Sequence, residues 1–327
     1  MPISFTRDRL TELLRGAREK RIVVIGDAML DAYLTGDVER ISPEAPVPVV
    51  RIRERRFALG GAANVANNVR AIGCRCTLVA TTGRDAWGSQ LRSMLDAIGA
   101  PLDGLLEVSR PTTTKTRVVA RSQQLLRVDE EEDADLSETE VAALAPLVDA
   151  AVRTADALIF EDYNKGVLVP DVIRLGMRVA RDRGIPVIVD PKFRHFFQYA
   201  GATVFKPNRR ELETALGARV DRDVAETGAA ALDQLGVDHL LLTLGDRGMF
   251  LLSRGTTGMR IPGVARQVYD VVGAGDTVTA YLSAILAAGG TVREASEIAN
   301  LAAGIEVGKL GAATVTPEEL LEDLASR

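Results

Sequence analysis

Arg21-Ile22-Val23-Val24-Ile25-Gly26-Asp27 is the stretch from which the fold can be read. Four consecutive apolar residues, with no polar position between them, suit a strand covered on both faces. Working outward, runs of the same kind recur at Thr77–Thr81, Ala157–Phe160, Pro186–Val189, Thr203–Phe205 and His239–Thr243. Between them lie segments of helical character: Ala62–Ile72, Trp87–Ile98, Glu138–Val152, Pro170–Arg183, Arg209–Leu216, Val224–Leu235, Gly275–Ala288 and Arg293–Val307. A last helix begins near Pro317, with Thr316 as its N-cap and proline at the first helical position. Strands alternating with helices predict an α/β fold, a doubly wound, mostly parallel sheet with helices on both faces.

Two segments break that rhythm. Leu34–Phe57 has no helical period and carries Pro43, Pro46 and Pro48. Thr112–Asp129 reads as two strands, with apolar Val118 and Ala120, then Leu126 and Val128, around a polar turn near Arg121-Ser122. We expect one small β sheet built from two insertions, about 34–59 and 110–129, apart from the main domain. Over a site it would act as a lid or a dimer contact. The acidic run Asp129–Asp135 follows as a largely solvated connection.

The chain has 327 residues, enough for one large α/β domain, 1–327, with an ample core. Hydrophobic residues make up 46% and charged residues 26%, which argues against disorder. A net charge of -5 with no long basic stripe argues against nucleic acid as a partner. Cys74 and Cys76 read as two small buried thiols, since their spacing suits neither a disulfide framework nor a zinc site. With only His195 and His239, a histidine metal site is not expected. Met1 to Lys20 is charged and amphipathic, unlike a signal peptide, and no apolar run reaches membrane-spanning length. The expectation is a cytoplasmic protein with no membrane association.

The chemistry concentrates at Tyr269-Asp270-Val271-Val272-Gly273-Ala274-Gly275-Asp276-Thr277. Gly273, Ala274 and Gly275 let a backbone approach a ligand, and the free N–H groups of a first helical turn stabilise an anion. A carboxylate in that turn, Asp276, is placed to take a proton from a hydroxyl that attacks phosphorus. The same residues also read as a helix N-terminus with an acidic cap. Asp27 and Asp31, beyond the end of a strand, suit sugar hydroxyls or a simple capping role. Gly60-Gly61-Ala62-Ala63-Asn64 opens a helix, with close approach at Gly60 and Gly61 and a donor and acceptor at Asn64. That helix could equally just pack tightly on the sheet. Lys206-Pro207-Asn208-Arg209-Arg210-Glu211 suits a capping box between Asn208 and Glu211, or phosphate contacts and a water-bound Mg²⁺. Thr243-Leu244-Gly245-Asp246-Arg247-Gly248 is either a hairpin or the floor of a nucleotide groove.

Taken in order, Gly26-Asp27…Asp31, Gly60-Gly61…Asn64, Pro207-Asn208…Glu211, Thr243-Leu244-Gly245…Gly248 and Asp270–Thr277 resemble the ribokinase (PfkB) family of sugar kinases across nearly the whole chain. The resemblance implies a ribokinase-like core with a β lid, ATP as donor, and Mg²⁺, with Glu211 holding it through water. Asp276 would be the base and the Gly273–Gly275 amides the anion hole. Lys192, Asn208, Glu211, Thr243, Gly245, Gly248 and Asn300 would line the nucleotide side. A monovalent cation such as K⁺ would sit near Asp270 and Gly308–Thr314.

Within that family, Arg40–Val49, Thr114–Arg117, Gln123–Leu125, Asp162–Gly166, Asp190–Lys192 and Val307–Gly311 resemble the heptose-7-phosphate kinases. This implies phosphorylation of O1 of D-glycero-β-D-manno-heptose 7-phosphate, on the way to ADP-heptose and lipopolysaccharide core. Asp27, Asp31, Gly60, Gly61, Asn64, Asp162 and Lys165 would then hold the sugar. Lys115, Arg117, Arg121 and Lys165 would be candidate partners for its phosphate. Many such kinases are fused to a C-terminal nucleotidyltransferase. This chain ends soon after Leu324, so a stand-alone form or the kinase half of a fusion is expected. A homodimer through the β lid is the expected assembly.

Overall fold

A computed structural model describes residues 4–120, 123–220, 224–264 and 269–326. In chain order the first half comprises α1 (Arg7–Arg18), β1 (Arg21–Gly26), β2 (Ala28–Ile41), β3 (Pro48–Gly61), α2 (Ala62–Ile72), β4 (Arg75–Gly83), α3 (Ala86–Ala97), β5 (Leu105–Val108), β6 (Thr114–Ala120), β7 (Gln123–Glu130) and α4 (Glu138–Arg153). The second half comprises β8 (Ala157–Glu161), α5 (Pro170–Arg183), β9 (Val187–Asp190), β10 (Val204–Phe205), α6 (Arg209–Leu216), α7 (Val224–Leu235), β11 (His239–Thr243), β12 (Met249–Ser253), β13 (Met259–Ile261), α8 (Ala274–Ala287), α9 (Val292–Glu306) and α10 (Pro317–Ala325).

The main sheet runs β13-β12-β11-β10-β9-β8-β1-β4-β5. From β11 through β5 all neighbours are parallel. The apolar run of β1 explains why. Ile22 and Val24 join the core on one face, with Leu13 of α1 and Ile72 of α2. Val23 and Ile25 join the core on the other, with Val148 of α4 and Ile173 of α5. Each such side chain, fully buried, contributes about 1.5–3 kcal/mol, so only a strand covered on both sides uses all four. The chain moves from β1 outward to β4 and β5 on one side, and through β8, β9 and β10 on the other. Strand order therefore reverses at β1, and open α/β sheets bind ligands at that crevice.

Three strands extend the sheet beyond the expected six. β5 adds a parallel edge beside β4. Thr243–Gly248 is the turn of a hairpin, through the 3₁₀ turn Gly245–Arg247, and β12 and β13 then pair antiparallel. Gly248 takes φ 81°, and a Cβ there would lie 2.1 Å from the Ile261 carbonyl oxygen, so this turn requires glycine.

A second sheet, ordered β3-β2-β6-β7, forms the lid. Its first two strands are longer than the expected insertion. β2 starts at Ala28, with only Asp27 between it and the end of β1, and β3 runs through Gly61 directly into α2. The lid is thus rooted in the end of the main sheet, and Asp31 lies within a lid strand. The turn expected at Arg121-Ser122, and with it the candidate role of Arg121, falls outside the described residues. Among the described residues no helix is long and apolar enough to cross a membrane.

Candidate active site

Charged residues collect where four adjacent parallel strands end. Gly26 of β1 pairs with Glu161 of β8, and Glu161 with Asp190 of β9. Lys206 directly follows β10, and its Nζ lies 2.6 Å from Asp190 Oδ2. These ends face the N-terminus of α8. Gly273 caps that helix at φ 99° with no side-chain capping bond. Among the described residues no side chain caps the first-turn N–H groups, which a helix leaves without internal partners. A Cβ on Gly273 would come within 3.2 Å of Asn64 Nδ2 and of Glu306 Oε1, so the turn fits only without one.

Asp276 lies in that first turn and is 6% exposed. Asn64 Nδ2 donates to its Oδ2 at 2.6 Å, and the Tyr163 hydroxyl donates to its Oδ1 at 3.2 Å. Burial raises the Asp276 carboxyl to about 6; the Asn64 bond pulls it down, Asp190 pushes it up and Lys206 pulls it down. A base with that affinity is ionised at neutral pH and still accepts a proton readily. The nearby Asp276 charge, with burial, drives Tyr163 well above the usual phenol range, so its hydroxyl stays a donor. Asn64 is itself held in place, because Asn68 Nδ2 donates to the Asn64 carbonyl and Thr277 Oγ1 donates to Asn68 Oδ1.

The sugar-side candidates divide. Asn64 reaches Asp276, whereas Asp31, on lid strand β2, is paired with Arg117, and Gly60 makes room for it: a Cβ on Gly60 would sit 2.6 Å from Asp31 Oδ2. Gly61 holds φ 53°, and its Cβ would meet the Asp27 carbonyl at 2.4 Å. Asp27 is not an open acceptor for a hydroxyl. Its carboxylate accepts the N–H groups of Tyr163, Lys165 and Val167 at 2.8, 2.9 and 3.1 Å and anchors that loop. Asp162 is also turned inward, accepting from Asn164 N–H at 2.8 Å and the Tyr199 hydroxyl at 3.1 Å. Burial, with Asp27 nearby, lifts it to about 7. Lys115 and Lys165 converge on one carboxylate, Glu131, at 2.8 and 2.9 Å, with Asp129 and Asp133 beside them. Arg127 also holds Asp129, so three carboxylates meet three cations here, and both ammonium groups are already committed to partners rather than open to a phosphate.

On the opposite side, the Asn208–Glu211 capping box is present: Asn208 N–H donates to Glu211 Oε2 at 2.8 Å and Glu211 N–H to Asn208 Oδ1 at 2.9 Å. Lys192 Nζ lies 2.5 Å from Glu211 Oε1 and 5.1 Å from the Tyr163 ring centroid. Both Glu211 oxygens thus have partners. Thr243 bridges to Asn208, and Gly245 at φ 62° has open space where a Cβ would be. Asn300 donates to the Pro262 carbonyl at 2.9 Å and ties α9 to the segment after β13.

Besides Glu211, a second cation candidate is a cluster of three carboxylates. One oxygen each of Glu161, Asp190 and Asp276 lie within 4.8 Å of one another. Glu161 is fully buried, yet neither of its oxygens has a hydrogen-bond partner among the described residues. Burial, then Asp190 and Asp276, push its proton affinity well above the usual range. With all four ionised, Glu161, Asp190, Asp276 and Glu211 against Lys192 and Lys206 would leave two negative charges, which one hard divalent cation with oxygen ligands would match, and such a cation would displace the Glu161 proton. Sequence reasoning missed Glu161 and Asp190 as site residues. The signal was a carboxylate at the end of an apolar run, Ala157–Phe160, though only the register puts Glu161 beside Asp190.

A helix N-terminus with a buried carboxylate, set against the ends of parallel strands beside a second β sheet, suits a phosphotransferase of the carbohydrate-kinase class. The chain belongs to the pfkB family of carbohydrate kinases, whose family model matches residues 19–319. It is 43% identical over 321 residues to the "Bifunctional protein HldE" of Citrifermentans bemidjiense, covering 97% of this chain and 66% of that protein. With its counterpart in Caulobacter vibrioides it shares 44% identity over 317 residues, covering 96% of this chain and 65% of the relative. The chain therefore spans about two thirds of the length of these relatives. By fold it is similar to Arabidopsis thaliana ribokinase complexed with ribose and ATP, with TM-score 0.74, 22% identity, and 93% and 98% of the two chains covered. It is similar also to Escherichia coli phosphofructokinase-2 in complex with potassium, with TM-score 0.78, 20% identity, and 94% and 100% covered.

Proposed function

We propose that this chain transfers the γ-phosphoryl group of ATP to O1 of D-glycero-β-D-manno-heptose 7-phosphate, giving the 1,7-bisphosphate. The observation that carries the reading is Asp276: buried at the open N-terminus of α8, oriented by Asn64 and Tyr163, and raised to about 6. In this reading Asp276 takes the proton of the O1 hydroxyl as that oxygen bonds to the γ-phosphorus and the bond to ADP breaks. The amides of Gly273–Gly275 face the charge that develops on the transferred group. Asp31 and Asn64 orient the sugar, while Lys192, Asn208 and the turn Thr243–Gly248 border the nucleotide. Mg²⁺, held by Glu161 and Asp190 with Glu211 nearby, would neutralise phosphate charge. A monovalent cation beside Asp270 would find a second carboxyl in Glu306, which burial, Asp270 and Asp276 raise to about 8. The lid motifs and the HldE relatives support the choice of acceptor.

The whole chain acts as one kinase unit in this reading, and copies pair through the outer face of β7. Leu126 and Val128 stand 56% and 44% exposed there, on an edge strand. The deciding experiment is a coupled ADP-release assay across heptose 7-phosphate, fructose phosphates, ribose and adenosine. Turnover of heptose 7-phosphate above the others is expected. Activity on ribose or adenosine with none on the heptose phosphate would overturn the acceptor and leave the family intact.

A further inference from the structure

The inner face of the lid carries a row of arginines, which the site as described does not use. In the register of the lid sheet, Tyr33 of β2 pairs with Arg56 of β3 and with Arg117 of β6, and Arg117 pairs with Arg127 of β7. Residues directly opposite in a sheet share a face. Arg56, Tyr33, Arg117 and Arg127 therefore form one row across all four strands. The row beside it holds Asp31, opposite Lys115, and Asp129. Both rows thus lie on one face of the lid, the face that carries Asp31 and from which Arg56 approaches Gly311.

Like charges side by side on a sheet destabilise it unless something offsets them. Arg117 pairs with Asp31, and Arg127 grips Asp129 through two bonds of 2.9 and 2.8 Å. Among the described residues Arg56 makes no ion pair. Its guanidinium carbon stands 4.8 Å from the Tyr33 ring centroid, with that of Arg117 at 5.3 Å from the same ring. Arg56 Nη2 also lies 3.0 Å from where a Cβ on Gly311 would be. Gly311 N–H donates to Asp270, and Ala312 abuts Gly273. Arg56 thus spans from the lid to the loop beside the anion hole, braced over the Tyr33 ring and, among the described residues, without a carboxylate of its own.

We infer that Arg56, braced on Tyr33 and seconded by Arg117, is the seat for the phosphate already carried by the acceptor sugar. A guanidinium suits a phosphate monoester because its planar fork meets two oxygens at once. In the corner expected for this task, the ammonium groups of Lys115 and Lys165 are already paired with Glu131, Asp129 and Asp133. The inference rests on the reading of the acceptor as a sugar phosphate.

The test is steady-state kinetics of Arg56→Ala and Arg56→Lys with heptose 7-phosphate, the same heptose without its phosphate, and ATP. Arg56 is exposed, so both variants should melt like the parent, which a thermal scan checks. Loss of a charged hydrogen-bonding pair predicts that Arg56→Ala raises KM for the sugar phosphate about 10- to 100-fold. KM for ATP and kcat/KM for the unphosphorylated heptose should stay unchanged, and Arg56→Lys should recover part of the loss. An unchanged KM for heptose 7-phosphate in Arg56→Ala, with the parent active on it, overturns this inference alone. So does a fall in kcat at constant KM, which would assign Arg56 to the transferred group, or an equal loss on both sugars. A parent that turns over neutral sugars and no phosphorylated one overturns the acceptor reading and this inference together.

Discussion

The floor of the site and the lid above it handle charge in opposite ways. On the floor, Glu161, Lys206 and Asp276 are 0%, 3% and 6% exposed. There burial moves proton affinities, as it does for Asp276 and Glu161. On the lid, Arg56 and Arg127 remain in contact with water. Low dielectric makes a charge strong and chemically adjustable, while solvent makes it weak and geometrically selective. The floor is therefore suited to moving a proton and holding a cation, the lid to recognising the shape and charge of an incoming substrate.

The largest effect should come from the floor. Asp276→Asn should lower kcat by roughly 10²–10⁴-fold, the usual worth of a general base, while ATP binding measured by calorimetry persists. Near-normal turnover would remove Asp276 from the mechanism. In the parent, kcat should fall on the acid side with a midpoint near pH 6, as Asp276 takes up its proton. The stability consequence has the opposite sign. A carboxyl whose folded pKa is raised costs stability once pH exceeds its unfolded value, with the full cost present above the folded value near 6. Asp276→Asn should therefore melt at least as high as the parent at pH 8, and any gain should vanish towards pH 4. A variant that melts lower at pH 8 would mean that Asp276 is chiefly a structural cap.

Next in size is Glu161→Gln. It keeps the shape and removes the buried charge, so the concentration of Mg²⁺ needed for half-maximal rate should rise about 10- to 100-fold, as for other groups that tune a metal site. KM for the sugar should not move. An unchanged Mg²⁺ dependence would return the cation to Glu211. The smallest catalytic effect should come from the far side of the lid. Leu126→Asp on β7 should convert a dimer into a monomer in sedimentation velocity with little change in kcat; a parent that sediments as a monomer would end the dimer proposal.

Much of the floor's architecture could be read from residues near one another in the chain. The apolar runs at 21–25, 157–160 and 239–243 all became strands, and α2, α5 and α6 begin and end where periodicity, Pro170 and the Asn208 cap placed them. The edges were harder. β5 and β13 are short strands at the two edges of the sheet, where the continuous apolar run that marks a central strand is missing. β12 does carry such a run, Met249–Leu252, but no α-helix separates it from β11, so the strand–helix alternation did not mark it. The lid strands reach back to Ala28 and forward to Gly61 because their roots are apolar and mixed with glycine, which looked like the end of one element and the start of another. Asp27 shows the limit most clearly. Gly26-Asp27 at a strand end looks the same whether the carboxylate faces a ligand or turns back, and it turns back to meet three N–H groups of residues 163–167.

By itself the amino-acid sequence determined the doubly wound sheet, the helix that opens at Gly273-Ala274-Gly275-Asp276, and the pairing of Asn208 with Glu211. These depend on local periodicity, on capping chemistry and on backbone angles that particular residues permit. Only the tertiary structure decided which carboxylates stand free and which are spent. Glu161, Asp190 and Asp276 are far apart in the chain and meet through strand register, and Arg56, Tyr33 and Arg117 share a face through pairing in the lid. The physical reason is that a charge's role depends on its partners and its access to water, and both are properties of the folded arrangement.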